Sequence, residues 1–524
     1  MKYPERTVIN NSFGPPNVFN AGEVEECFSQ SETVIQGEFE IGTQFHFYME
    51  TLVALCIPVE EGMNVFCSTQ YQDAVQNAIA RCLNLNKAQV NVETRRIGGS
   101  YGGKVSRSTL VATACAIAAY ELSKPVRISL DLDSNMALLE GRLPYYCQYK
   151  EIGIAIIENL IEHIAHIRQE DPLEFRLKNL NTNKNADVNS MQKIIDELRS
   201  SSEFDKRLGE KRGINLLPMV YPVESFPYRY NVLVAIHHED GSVAVSHGGI
   251  ECGQGINTKI TQVVARELYS IDISLIVVKP TNTLTNTNGY VTGGSVTSEM
   301  NCYAAIKACP ELKNRMLPIK EKFQDASWNE LVEQCFNSNI DLTAHHYYTS
   351  DDEVKGYIIY GAIVSEVEVD VLTGEKLVAS SSVDILEDAG QSIRPLIDIG
   401  KIEGAFVMGV GLWTSEKIVY NPITGEKLSR GTWNYKPPLN SDIPVDLHIT
   451  MLKNAGHPFG VLRSKATGEP LLCMSVSVLF ALRNAVNAAR SDAGKTRWYQ
   501  MDGPATVDKL HKMMLTNSVQ FVFQ

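Results

Sequence analysis

The chain predicts a mixed α/β, α+β fold arranged as two successive regions, residues 1–165 and 166–524. Three observations carry this. Its 524 residues exceed what one hydrophobic core usually serves. Segments of period-two alternation interleave with segments of helical spacing. No internal repeat or low-complexity tract points to a solenoid or a fibrous chain.

Strands are expected first: Gly37–Gly42, Thr51–Pro58 and Asn64–Thr69 alternate and carry β-branched residues. Val75, Ala78, Ile79 and Leu83 then fall on one helical face within 73–85, and a strand over 89–97 feeds a glycine cluster. The segment 107–122 is apolar almost all round, as a buried helix would be, and 126–132 reads as a core strand. An amphipathic helix runs over 154–165, and Asp171-Pro172 separates it from a second helix beginning at Leu173. The asparagine-rich stretch 179–189 reads as a surface connection. Further on come strands at 232–236 and 243–245, a helix over 258–269 and a long final helix from Pro470 to Arg490.

Asp and Glu total 61 against 48 Lys and Arg, a net charge of −13, and no long basic run exists. Nucleic acid is therefore not an expected partner, because neutralising phosphates supplies most of such affinity. No stretch approaches eighteen uninterrupted apolar residues, so a membrane is not expected either. Eleven scattered cysteines without a C-x-x-C pair suit free thiols in a reducing compartment, and the chain is expected to be cytoplasmic. The pairs His237-His238 and His345-His346 lack zinc-site spacing, so no metal held by side chains is expected.

Three motifs carry the chemistry. In Ser464-Lys465-Ala466-Thr467-Gly468-Glu469-Pro470 a carboxylate sits between a glycine and a proline just before an apolar run. Gly468 would supply backbone freedom and Pro470 a first-turn position without loss of a hydrogen bond, fixing Glu469 at a loop-to-helix corner where a general base could act. Alone, the tripeptide reads as an acidic residue favouring a helix dipole. The segments Gly98–Val105 and His247–Gly255 add glycine-rich backbone able to approach a bulky anion. Gly98–Lys104 also fits a nucleotide loop, but Val105 stands where a magnesium-binding hydroxyl is needed. Taken alone, Gln70 reads as a solvent-facing strand end.

Together these motifs, with Thr292–Thr297 and Asp502–Thr506, resemble the molybdenum-cofactor half of the aldehyde oxidase and xanthine dehydrogenase family, closest to insect aldehyde oxidases. The resemblance implies a two-part molybdopterin-binding fold, molybdenum held by its pterin, and hydroxylation of a substrate with water-derived oxygen. It implies that Glu469 is the catalytic base and that Gln70 faces the metal's oxo group. Tyr101, Gln254, Gly294 and Ser295 would contact the cofactor, and Val105 would line the substrate pocket. Purine-hydroxylating relatives carry a glutamate at the Val105 position; a valine implies an apolar pocket and an aldehyde substrate, with purine hydroxylation as the alternative. Iron-sulfur and FAD domains are implied ahead of this half, in a full-length homodimer, and the chain carries no counterpart of them. At Lys150–Gly153 it passes directly between segments that several tens of residues separate in relatives, including an arginine-bearing loop. A truncated, non-catalytic member or a dimerisation module is the alternative from another class.

Overall fold

The structure, a computed structural model, describes residues 35–138, 141–148, 154–179, 188–208, 213–352, 354–377, 382–458 and 460–516. The junction at 150–153 and most of the 179–189 connection lie outside them.

In the first region β1 (Glu38–Ile41), β2 (Val53–Val59) and β3 (Gly62–Cys67) precede α1 (Gln72–Leu83), β4 (Val90–Thr94), α2 (Arg107–Leu122), β5 (Val126–Ser129) and β6 (Tyr145–Gln148). The alternation of buried and half-buried residues along β2 and β3 lays Ala54, Cys56, Met63 and Val65 against Val75, Ile79, Val111, Cys115 and Ala119 of the two helices. This core closes on itself.

Two expectations are corrected here. The segment 107–122 is a helix, but it is not buried all round: Leu110, Ile117, Tyr120 and Leu122 are exposed, because only its other face meets the sheet. The strand at 126 ends at Ser129 on the sheet's edge, with every second residue exposed, so it is no core strand.

Two helices follow, α3 (Ile154–Arg168) and α4 (Pro172–Lys178). Asp171 starts the latter by accepting the Glu174 N–H at 3.0 Å, with Pro172 in the first turn. The second region places β8 (Tyr230–Ile236), β9 (Val243–His247), β10 (Ile276–Val278) and β12 (Thr343–Tyr348) in one four-stranded sheet under α5 (Ile256–Glu267) and α6 (Thr297–Lys322). A second sheet pairs β7 (Gly213–Val223) with β13 (Tyr357–Val369), which adjoins β15 (Ser382–Glu387), itself paired with β16 (Asp446–Met451); the two-residue β14 (Lys376–Leu377) caps the end of β13.

Under this sheet lie α7 (Pro395–Thr414), α8 (Gly468–Met474) and α9 (Val476–Asp492), so the final helix is two helices meeting at Ser475. Val476 through Arg483 are buried without a break, so the first half of α9 is enclosed on all sides by β7, β13 and its helical neighbours. Gly468–Asp492 is also long and apolar enough to cross a membrane, but 67% of its most apolar 18-residue stretch lies inside the protein, as in a core helix.

The regions interleave. The two-residue β11 (Thr281–Asn282) adds to β4, and Phe39, Ile41, Cys147 and Ile156 pack into the core formed around α9. The sheet of β1 and β6 has only two strands. Asp502 and Gly503 cover one side of it through the Glu40 N–H and the Glu40 carbonyl, whereas Leu143, Tyr145 and Tyr146 on the β6 side are exposed.

Candidate cofactor and catalytic site

The Gly98–Lys104 loop is pinned from below. Glu50 accepts the Gly98 N–H at 2.9 Å and the Lys104 ammonium at 2.7 Å, and Lys104, wholly enclosed, lies 4.5 Å from the ring centre of Tyr48. Burial depresses the pKa of that ammonium while Glu50 opposes the shift. The glycines make the approach feasible: a Cβ on Gly103 would sit 2.7 Å from the Tyr48 ring. Tyr101 stands at the tip, 59% exposed.

Gln70 is buried rather than solvent-facing. Its Nε2 donates to the Thr292 carbonyl at 2.9 Å and its Oε1 accepts the Lys104 N–H at 3.2 Å, tying two glycine loops together. An amide nitrogen has a second hydrogen, which remains for a ligand. Val105 is half-buried on the pinned loop, its N–H given to the Gly102 carbonyl.

The 247–255 loop locks onto both neighbours through Ile97 N–H to the Glu251 carbonyl and Ile250 N–H to Thr292 Oγ1, each 2.9 Å. Gln254 turns inward: it accepts the Cys252 N–H and donates to the Ile250 carbonyl, each at 2.8 Å. Glu251, which sequence reasoning missed, accepts the N–H groups of Gly253, Gly255 and Asn257 and so occupies the N-terminus of α5 itself. The N-terminus of α6 is different. Gly294 and Ser295 adopt positive φ of 66° and 58°, Thr297 Oγ1 takes the Gly293 N–H, and the N–H groups of Gly294, Ser295 and Val296 have no partner among the described residues.

Glu469 is the second residue of α8, exposed, with Tyr221 of β7 donating to its Oε2 at 2.6 Å. Gly468 has no left-handed φ, and a Cβ there would meet only Lys401 at 3.9 Å, so its contribution is open space rather than backbone freedom. Behind the corner, the Tyr357 hydroxyl accepts the Ala466 N–H at 2.9 Å and bonds to the buried Glu299 of α6. Lys259 of α5 and Lys401 of α7 share Asp398 at 3.9 and 3.4 Å, and burial pushes Lys401 down to about 8. These buried groups carried no signal in the sequence. No hydrogen bond or ion pair among the described residues joins Val105, Tyr101 or Gln254 directly to Glu469.

Burial also pushes Glu299 up to about 7. Its folded pKa lies above the unfolded value, so its stabilising share is complete below about pH 4.5 and lost as pH rises through about 7. Unfolding free energies of Glu299→Gln and the parent, from urea titrations, should therefore diverge in the variant's favour between pH 5 and 8, by on the order of 1–3 kcal/mol. A difference independent of pH would show that Glu299 is ionised throughout.

The residues present fit a bulky, anionic pterin. Gly253 and Gly293 face open space, and the unpartnered N–H groups at the N-terminus of the 26-residue α6 suit a phosphate. Such a site defines a class of protein that grips a bulky organic anion by its backbone.

Two models described as molybdopterin cofactor-binding domain match residues 9–153 and 187–444. A probable aldehyde oxidase 2 of Oryza sativa subsp. japonica is 34% identical over 610 positions, covering 96% of this chain and 45% of that protein. A xanthine dehydrogenase of Dictyostelium discoideum is 31% identical, covering 98% and 45%. Among solved structures, the aldehyde oxidoreductase of Desulfovibrio gigas superposes with a TM-score of 0.78 at 19% identity over 98% of this chain and 65% of its own. The quinoline 2-oxidoreductase of Pseudomonas putida 86 gives 0.76 at 17%, over 94% and 77%. The chain belongs to the aldehyde oxidase and xanthine dehydrogenase family, as its molybdopterin-binding half. It spans 45% of the length of the rice relative, and since 610 aligned positions face 524 residues, at least 86 positions of that alignment have no counterpart here.

Proposed function

We propose that this chain carries the substrate-converting site of a molybdenum hydroxylase that oxidises aldehydes to carboxylic acids. The observation that carries the reading is Glu469, an accessible carboxylate held at a helix N-terminus, whose charge reaches Tyr228, a tyrosine whose hydroxyl lies against Gly294 of a glycine loop. When bound, the cofactor supplies the oxygen transferred and takes up the substrate's electron pair. Glu469 supplies the base: Tyr221 occupies Oε2, leaving Oε1 to accept a proton. Gln70 offers its spare N–H from a position fixed on both sides. The alternative, purine hydroxylation, would need a polar partner at position 105, and the half-buried Val105 provides none.

The test is turnover of an aldehyde and purine panel by cofactor-loaded protein with an artificial electron acceptor. Oxidation of purines but not aldehydes would overturn the assignment. In the same assay Val105→Glu should lower the specificity constant for bulky apolar aldehydes about tenfold, because an unpaired carboxylate opposes their burial. Unchanged constants would remove Val105 from the pocket. A cytoplasmic homodimer is part of the proposal; the ten described cysteines, all free thiols, support a reducing compartment.

A further inference from the structure

Tyr221 is the third residue from the end of β7, and its ring packs against two hydrophobic cores at once: the one around β8, α5 and α6, and the one around α9. A ring clamped from both sides cannot swing. Its hydroxyl is thereby aimed at Glu469 Oε2, 2.6 Å away, although the two residues are 248 apart in the chain. The separation is short, in the range of hydrogen bonds strengthened by charge.

We propose that Tyr221 is a positioning residue for Glu469: its phenol fixes the carboxylate's orientation and reserves Oε1 for the proton it accepts. The inference rests on the reading of Glu469 as the base. Burial first, and then the bond to Glu469, raises the Tyr221 pKa above the ordinary phenol value, so this hydroxyl keeps its proton and remains a donor across the working range. The other titratable groups whose charge reaches Glu469 are Tyr228, Tyr357 and Cys473, and Lys401 of α7 faces Gly468. Each of those three is itself raised, chiefly by burial, and so is neutral near pH 7. Tyr221 is the group bonded to Glu469 among the described residues.

The experiment needs no turnover. The purified chain is labelled with ¹³C at the glutamate carboxyl, the Glu469 signal is assigned by its loss in Glu469→Gln, and its pH midpoint is followed. Tyr221→Phe keeps the ring in both cores and removes the donor, so the midpoint should rise, because a bond donated to the carboxylate is lost. A folded Tyr221→Phe with an unmoved midpoint overturns the proposal. Should that variant fail to fold, the tyrosine ¹³Cζ signals decide: in the parent one must shift with the Glu469 midpoint, and in Glu469→Gln that shift must vanish. If every tyrosine signal ignores Glu469, the bond is absent in solution and the proposal falls. These readouts are separate from catalysis. Should Glu469→Gln prove fully active, the base assignment fails while the measured coupling stands.

Discussion

Glu469→Gln in the cofactor-loaded protein is expected to lower aldehyde turnover by a factor of roughly 10²–10⁴, the usual worth of a positioned base. The amide keeps the shape and can still accept from Tyr221, so molybdenum content and thermal stability should hardly change. Because the side chain is exposed at the start of α8, its replacement leaves no buried group stranded. Turnover within about tenfold of the parent would remove Glu469 from the mechanism, since general-base catalysis is worth more than that.

The second large effect concerns cofactor retention. The chain as it stands is expected to purify with molybdenum well below one atom per chain, and insertion of the relatives' intervening sequence at Lys150–Gly153 should raise the content severalfold. The reason is the two-stranded sheet: β6 pairs with β1 alone, its Tyr145 and Tyr146 are exposed, and Phe39, Ile41 and Cys147 of this sheet belong to the core around α9. An uncovered strand leaves backbone groups and apolar side chains without partners, at about 1–3 kcal/mol for each one that becomes buried and unsatisfied. Against a total stability of about 5–15 kcal/mol, a few such losses loosen the core around α9, which packs against α8 and its Glu469. Stoichiometric molybdenum in the unaltered chain would show the intervening sequence to be dispensable.

What the sequence disclosed follows from how local each feature is. Alternation in 51–69 and one-sided helical spacing in 73–85 are properties of neighbouring residues, and both elements lie close to where they were expected. The G-E-P corner was likewise legible, since a proline fits a first turn without losing a hydrogen bond and so favours a helix start. The apolar helix 107–122 was misread because composition reports what a face could bury, not whether anything covers it; Leu110 and Ile117 have no cover among the described residues. The inward turn of Gln254 was invisible because two of its three bonds go to the backbone of Cys252 and Ile250, which residue identity does not reveal, and the third comes from the Cys252 thiol. Tyr221, Glu299 and Asp398 come from separate strands and helices, and nothing in the spacing of tyrosines or acids indicates which of them a sheet will carry to Glu469.

The pairing of the first strand with the last turns sets a timetable for synthesis. Glu40 donates its N–H to Asp502, 462 residues later, and Ile41 bridges to Gly503. At about 5–20 residues per second, roughly 20–90 s pass between the appearance of β1 on the ribosome and that of its partner. Throughout that interval Phe39 and Ile41, destined for the interior of a core completed by α9, have nowhere to go. The core of β2–β5, α1 and α2 draws only on residues between Tyr48 and Leu130 and can close early. The nascent protein therefore carries a finished module behind a waiting apolar strand, and its yield in cells should depend on whatever shields that strand until the ribosome reaches residue 503.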